Sequence, residues 1–157
     1  MPETKIAITG LGAVSACGND VKETLQTFSD GSRNAGKVTL FESALNYPVF
    51  ALNNPTMLDD PFTMRTLNLA FQAAGEAILE AGFENGFGSL RLGICMGTTV
   101  ASQLNDTDFY RQYRNQGNAA MNSVDRYLKS NLAWSLAQFF KISNISFCTT
   151  IVNACSS

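Results

Sequence analysis

Histidine is absent from this 157-residue chain, which removes the commonest general base and metal ligand from its own chemistry. Any reaction it takes part in must use cysteine, serine, threonine, lysine or carboxylates, or borrow a base from elsewhere. Charge is scarce too. Charged residues make up 15% of the chain, against roughly 25% in ordinary globular proteins, while the apolar fraction of 45% is unremarkable. Such a chain has less water-facing surface than a free-standing domain of its size needs. This favours burial in something larger: a partner, an oligomer, or the remainder of a longer polypeptide. The net charge of −2 and pI near 5.0 leave no electrostatic footprint for nucleic acid or an anionic membrane.

Long apolar runs are missing as well. No stretch approaches about 18 uninterrupted apolar residues, so the sequence holds no spanning helix. The opening "MPETKIAITG" lacks a basic region followed by a long apolar one, and does not read as a secretory signal. The four cysteines, Cys17, Cys95, Cys148 and Cys155, follow no CxxC or zinc spacing. Cys148 and Cys155 fall on one expected strand, roughly 23 Å apart if fully extended, whereas a disulfide needs Cα atoms within about 7 Å. A reduced, cytoplasmic protein without a metal site is the expectation.

What is present reads as alternating strands and helices. "KIAIT" (Lys5 to Thr9) is an expected strand that breaks into small residues with glycines at 10 and 12. "NDVKETLQTFSDG" is a short helix, with Asp20 as cap, Glu23 at the capping-box offset and Gly31 as stop. Residues 32–58 are irregular, with "VTLF" a short strand candidate. The strongest helix signal is "DDPFTMRTLNLAFQAAGEAILEAGF". Asp60 caps it, Pro61 takes the first position and Gly82 ends it. Leu67, Ala70, Phe71, Ala74, Ile78 and Ala81 form one apolar face. "RLGICMGTT" is a second strand, followed by a polar stretch. A third helix is expected over about 123–140, with Tyr127, Leu128, Leu132, Leu136 and Phe139 inward. "NISFCTTIVNA" is a third strand, apolar on both faces like a central strand of a covered sheet. The order predicts an α/β fold with a largely parallel sheet. The chain shows no internal repeat or flexible linker.

Several motifs invite chemistry. "ITGLGAVS" suggests a dinucleotide site, with Glu42 as a ribose-binding acid, yet Ser15 stands at the third glycine position and no helix opens directly after Gly12. A glycine-rich turn is the better reading. Cys95 and Cys148 lie inside apolar strands as small buried hydrophobes, and Cys17 in its small-residue loop is structural. Cys155 differs, because it follows a buried strand and precedes two serines suited to a first helical turn. Helix N–H groups and the macrodipole at such a junction would stabilise a thiolate and a developing oxyanion. That is the setting of an acyl-transfer nucleophile. The alternative is a buried cysteine close to a chain end.

"ITGLGAVSACGND", "GICMGTT" and "TTIVNACSS", in this order, resemble the N-terminal part of a β-ketoacyl-[acyl carrier protein] synthase, a condensing enzyme of the thiolase-like superfamily. The first motif is closer to the elongating type than to initiating synthases or thiolases. The Ala-rich helix ending "EAILEAGF" is similar as well. The resemblance implies an incomplete N-terminal half of a thiolase-like fold, a mostly parallel sheet flanked by helices, over residues 1–157. It implies that Cys155 is the nucleophile, its own backbone N–H a candidate oxyanion donor. It implies no bound cofactor, only phosphopantetheine carried by an acyl carrier protein partner. It further implies a homodimer, or a heterodimer with a ketosynthase-like subunit, through the strand matching 145–152. The family's two catalytic histidines, its lysine and a glycine-rich oxyanion loop fall beyond Ser157. This chain alone is therefore expected to be inactive, either as a fragment or as a truncated product needing a complementing chain. A non-catalytic module docking on a full-length synthase is the competing expectation.

Overall fold

The computed structural model describes residues 5–39, 42–52, 64–99, 103–121, 124–125 and 131–152. The chain divides into two units, one made of residues 1–56 and 72–85, the other of 57–71 and 86–157.

In the first unit, α1 (Val21–Ser29) begins where the sequence places it. Asp20 Oδ1 accepts the Glu23 amide at 2.7 Å, satisfying an orphan N–H of the first turn. Glu23 returns to the Asn19 amide at 2.8 Å rather than to that of the cap residue itself. Gly31, at φ +62, ends the helix in the left-handed region, as expected. α2 (Arg65–Glu80) is the long helix. Its first turns belong to the second unit and its remainder, from Gln72, to the first. Gly82 (φ +77) stops it, while the expected cap Asp60 and Pro61 lie outside the described residues.

The segment after Thr9 lies directly on α2. A Cβ at Gly10 would overlap the Ala77 carbonyl oxygen, and one at Gly12 the Ala73 carbonyl oxygen. Only glycine permits backbone to approach a helix so closely. Beside that alanine row a polar stripe at i, i+4 and i+8 pins the loop. Gln72 Nε2 donates to the Asn19 carbonyl (2.9 Å), and Glu80 accepts the Leu11 amide. Glu76 accepts both the Ala13 amide (2.9 Å) and the Val21 amide (2.8 Å). The apolar face expected on this helix is therefore divided. Leu67 and Phe71 are core, but Ala70, Ala74 and Ile78 are only half-buried.

Two strand expectations change here. Lys5–Thr9 forms no strand, and Ile6 and Ile8 are 95% and 83% exposed. A strand exists only through a hydrogen-bonded neighbour, and this segment finds none among the described residues. Of "VTLF" (38–41), Val38 and Thr39 form no strand and Leu40 and Phe41 lie outside the described residues; an isolated bridge joins Gly36 to Val49 on either side of it.

The second unit holds β1 (Leu92–Thr98) and β2 (Ile145–Val152), paired in parallel from Leu92↔Ile145 to Thr98↔Val152. Between them come α3 (Gln103–Gln116) and α4 (Leu132–Phe139). α3 occupies the stretch read only as polar, since its composition carries no apolar stripe for periodicity to detect. α4 is the C-terminal part of the helix expected over 123–140, capped by Asn131 Oδ1 on the Trp134 amide. Tyr127 and Leu128 lie outside the described residues. The core gathers Met64, Leu67, Phe71 and Leu132, with Met96, Leu136 and Phe140 packed against it. Phe139, expected inward, is 44% exposed but stacks on Phe71 at 4.0 Å and 8°.

β2 is not a central strand among the described residues, because the sheet has two strands. Its Cys148 and Thr150 lie on the side shared with Ile94 and Met96. Phe147, Thr149 and Ile151 share the other side with Gly93, Cys95 and Gly97. Phe147 and Ile151 are 54% and 58% exposed there.

Candidate functional site

In open α/β sheets, ligands meet the carboxyl ends of parallel strands. Here that edge is formed by Thr98 and its partner Val152. Thr98 is buried. β2 ends at Val152; Cys155 stands three positions further along the sequence and, with the rest of 153–157, lies outside the described residues.

Two side-chain hydroxyls tie β2 to its surroundings. Near its start, Ser146 Oγ donates to the Leu92 carbonyl at 2.8 Å. Towards its carboxyl end, Thr150 Oγ1 accepts the Ala133 amide at 3.2 Å. Ala133 is the second residue of α4 and has no solvent exposure. Its N–H is one of the amides a helix cannot satisfy internally. β2 supplies the acceptor, which fastens the start of α4 to the strand that leads to Cys155.

The other cysteines divide. Cys148 is partly buried, and that burial pushes its thiol up from the ordinary value, so it stays protonated and behaves as a small hydrophobe. Cys95, expected buried, is exposed, because it lies on the side of the sheet that α4 does not cover. Cys17 sits in the Ser15–Gly18 turn, its amide bonded to Ser15 Oγ and its carbonyl accepting from Thr27 Oγ1. This is the structural role expected of it.

The dinucleotide reading of "ITGLGAVS" is overturned by geometry. Gly10 and Gly12 serve contact with α2. The amides of Leu11, Ala13 and Val21 are taken by Glu80 and Glu76, and that of Glu23 by Asp20. Carboxylates thus occupy the positions where pyrophosphate would bind. Glu42 is an exposed residue. Sequence reasoning missed Gln72, Glu76 and Glu80, though their i, i+4, i+8 spacing beside alanines is a legible signal. No group of three or more His, Cys, Asp or Glu among the described residues could hold a metal ion. No helix among them is long and apolar enough to cross a membrane.

No protein-family model matches the chain, and no curated protein matches it. Among solved structures it is similar to one described as "The ishigamide ketosynthase/chain length factor", with a TM-score of 0.78 and 21% sequence identity. The match covers 92% of this chain and 39% of that one. The fold is accordingly α/β, a parallel strand pair with flanking helices that corresponds to part of a thiolase-like ketosynthase fold. This chain spans well under half the length of the protein it resembles.

Proposed function

We propose that these residues are the N-terminal part of a β-ketoacyl synthase of the elongating type, with Cys155 as nucleophile. The observation that carries the reading is β2. It is a parallel strand after which the sequence continues as "NACSS", in a chain whose fold resembles part of a ketosynthase/chain length factor structure. In this role the Cys155 thiolate attacks the thioester of an acyl chain on the phosphopantetheine arm of a carrier protein. The acyl group passes to Sγ and the carrier thiol departs with a proton. A malonyl-carrier thioester then loses CO₂, and its carbanion attacks the acyl-cysteine. The thiolate is released and the carrier holds a β-ketoacyl chain two carbons longer. An acyl-enzyme divides one difficult condensation into two easier steps. The chain itself has no histidine to assist decarboxylation, so residues 1–157 alone are expected not to condense.

The competing reading is a non-catalytic module that docks on a full-length synthase, in a dimer of ketosynthase-like subunits. It is favoured by the solved neighbour's description, which names a chain length factor beside the ketosynthase. Acylation separates the two. The protein isolated from its own cells is incubated with an acyl-carrier thioester, and the peptide containing Cys155 is weighed. A thioester there, lost in Cys155→Ala, supports the synthase. An unmodified Cys155 in folded protein supports the docking module.

A further inference from the structure

Asn85–Gly86 is the chain's one Asn-Gly pair, and it stands in the turn-rich segment between α2 and β1. Both residues are exposed. Neither takes part in a hydrogen bond among the described residues, although the amides of Phe83 and Leu90 on either side donate to the Ile78 and Phe87 carbonyls. Gly86 has φ +98, and a Cβ built on it would meet nothing within 4 Å. The space beside Gly86 is therefore open, its amide is committed to no acceptor, and it has no side chain of its own to shield that amide. Asp30–Gly31 can undergo the same ring closure but has the opposite setting. There the Gly31 amide donates to the Phe28 carbonyl at 3.2 Å, and Asp30 Oδ1 accepts from Gln26 Nε2 at 2.8 Å. Both reacting groups of that pair are engaged.

We infer that Asn85 is a site of spontaneous deamidation, water being the only co-reactant. The Gly86 nitrogen gives its proton to solvent base and attacks Cγ of the Asn85 side chain. The new N–C bond closes a succinimide ring, the bond from Cγ to the side-chain nitrogen breaks, and that nitrogen takes up a proton and leaves as ammonia. Water then opens the ring at either carbonyl. One opening leaves Asp at position 85, and the other leaves an isoaspartyl linkage, in which the backbone runs through the former side chain. Each event adds a negative charge beside Glu84, in a chain whose net charge is already −2. Asparagine is a thermolabile residue in general, and here both its neighbour and the local backbone favour the reaction.

The test holds the full protein in warm, mildly alkaline buffer beside two synthetic peptides, one spanning residues 83–90 and one spanning 26–34. Trp134 fluorescence verifies that the protein stays folded. Peptide mapping reads the mass gain of an amide becoming a carboxyl, and chromatography separates the aspartyl and isoaspartyl forms. Asn85 is expected to convert in the folded protein within about tenfold of its peptide's rate, whereas Asp30 isomerises more than about tenfold more slowly than in its own peptide, an added barrier of about 1.4 kcal/mol or more. Asn85→Gln, whose longer side chain needs a larger ring, should abolish the acidic form of the protein. An Asn85 rate more than about tenfold below its peptide's overturns the inference. So does equal protection at the two sites, or an acidic form that persists in Asn85→Gln.

Discussion

Removing the Phe71 ring tests whether α2 anchors the second unit through one aromatic cluster. The ring is 9% exposed, stacked on Phe139 at 4.0 Å and edge-on to Phe140 at 6.4 Å and 85°. A buried Phe→Ala change costs about 3–5 kcal/mol in lost transfer energy and cavity. Each aromatic pair adds about 0.5–1.5 kcal/mol beyond area, but Phe139 is part-exposed and can turn into the space. About 4 kcal/mol is the expected loss. With a urea slope of about 2 kcal/mol/M, the midpoint falls by about 2 M. Trp134, the chain's one tryptophan, sits on α4 and its fluorescence reports this unit. Ile78→Ala is the comparison, a half-buried residue of the other unit, and should move the Trp134 transition by less than half as much. A Phe71→Ala loss below about 1 kcal/mol, or equal shifts from the two variants, would refute the placement of the core.

Three further outcomes follow from the geometry. Glu76→Ala leaves the Ala13 and Val21 amides without acceptors, at about 1–3 kcal/mol for each group that stays buried. Hydrogen exchange should accelerate at those two amides and not at Glu23, which Asp20 caps. Gly12→Ala forces a methyl into the Ala73 carbonyl, costing about 1–3 kcal/mol in a thermal melt, whereas Gly36→Ala, with open space around it, should not lower the melting temperature. Because burial raises the Cys148 thiol, its thiolate appears only at higher pH than an unperturbed cysteine's. Its alkylation rate, followed by peptide mass against pH, should therefore lag that of a model thiol through neutral pH and rise only as the solution becomes strongly alkaline.

The sequence by itself determined the elements whose signals are local. Asp20, Gly31 and Gly82 mark helix ends through caps and left-handed backbone that depend only on neighbours in the chain. β1 and β2 follow from short apolar runs, and the parallel α/β class from their order with the helices. The strand within "NISFCTTIVNA" was likewise legible as β2 (Ile145–Val152), while Cys155 lies outside the described residues. Tertiary structure alone decided matters that depend on residues distant in sequence. Lys5–Thr9 has the composition of a strand but no ladder partner among the described residues, and its isoleucines are exposed there. Cys95 and Cys148 look alike in sequence, yet only the second lies on the side that α4 covers. The glycines of "ITGLGAVS" leave a phosphate turn as the weaker alternative by spacing, with Ser15 at the third glycine position. What removes that option is Glu76, 55 positions beyond the Val21 amide that it accepts. Local propensity reads the backbone, whereas burial and pairing belong to whatever the fold brings alongside it.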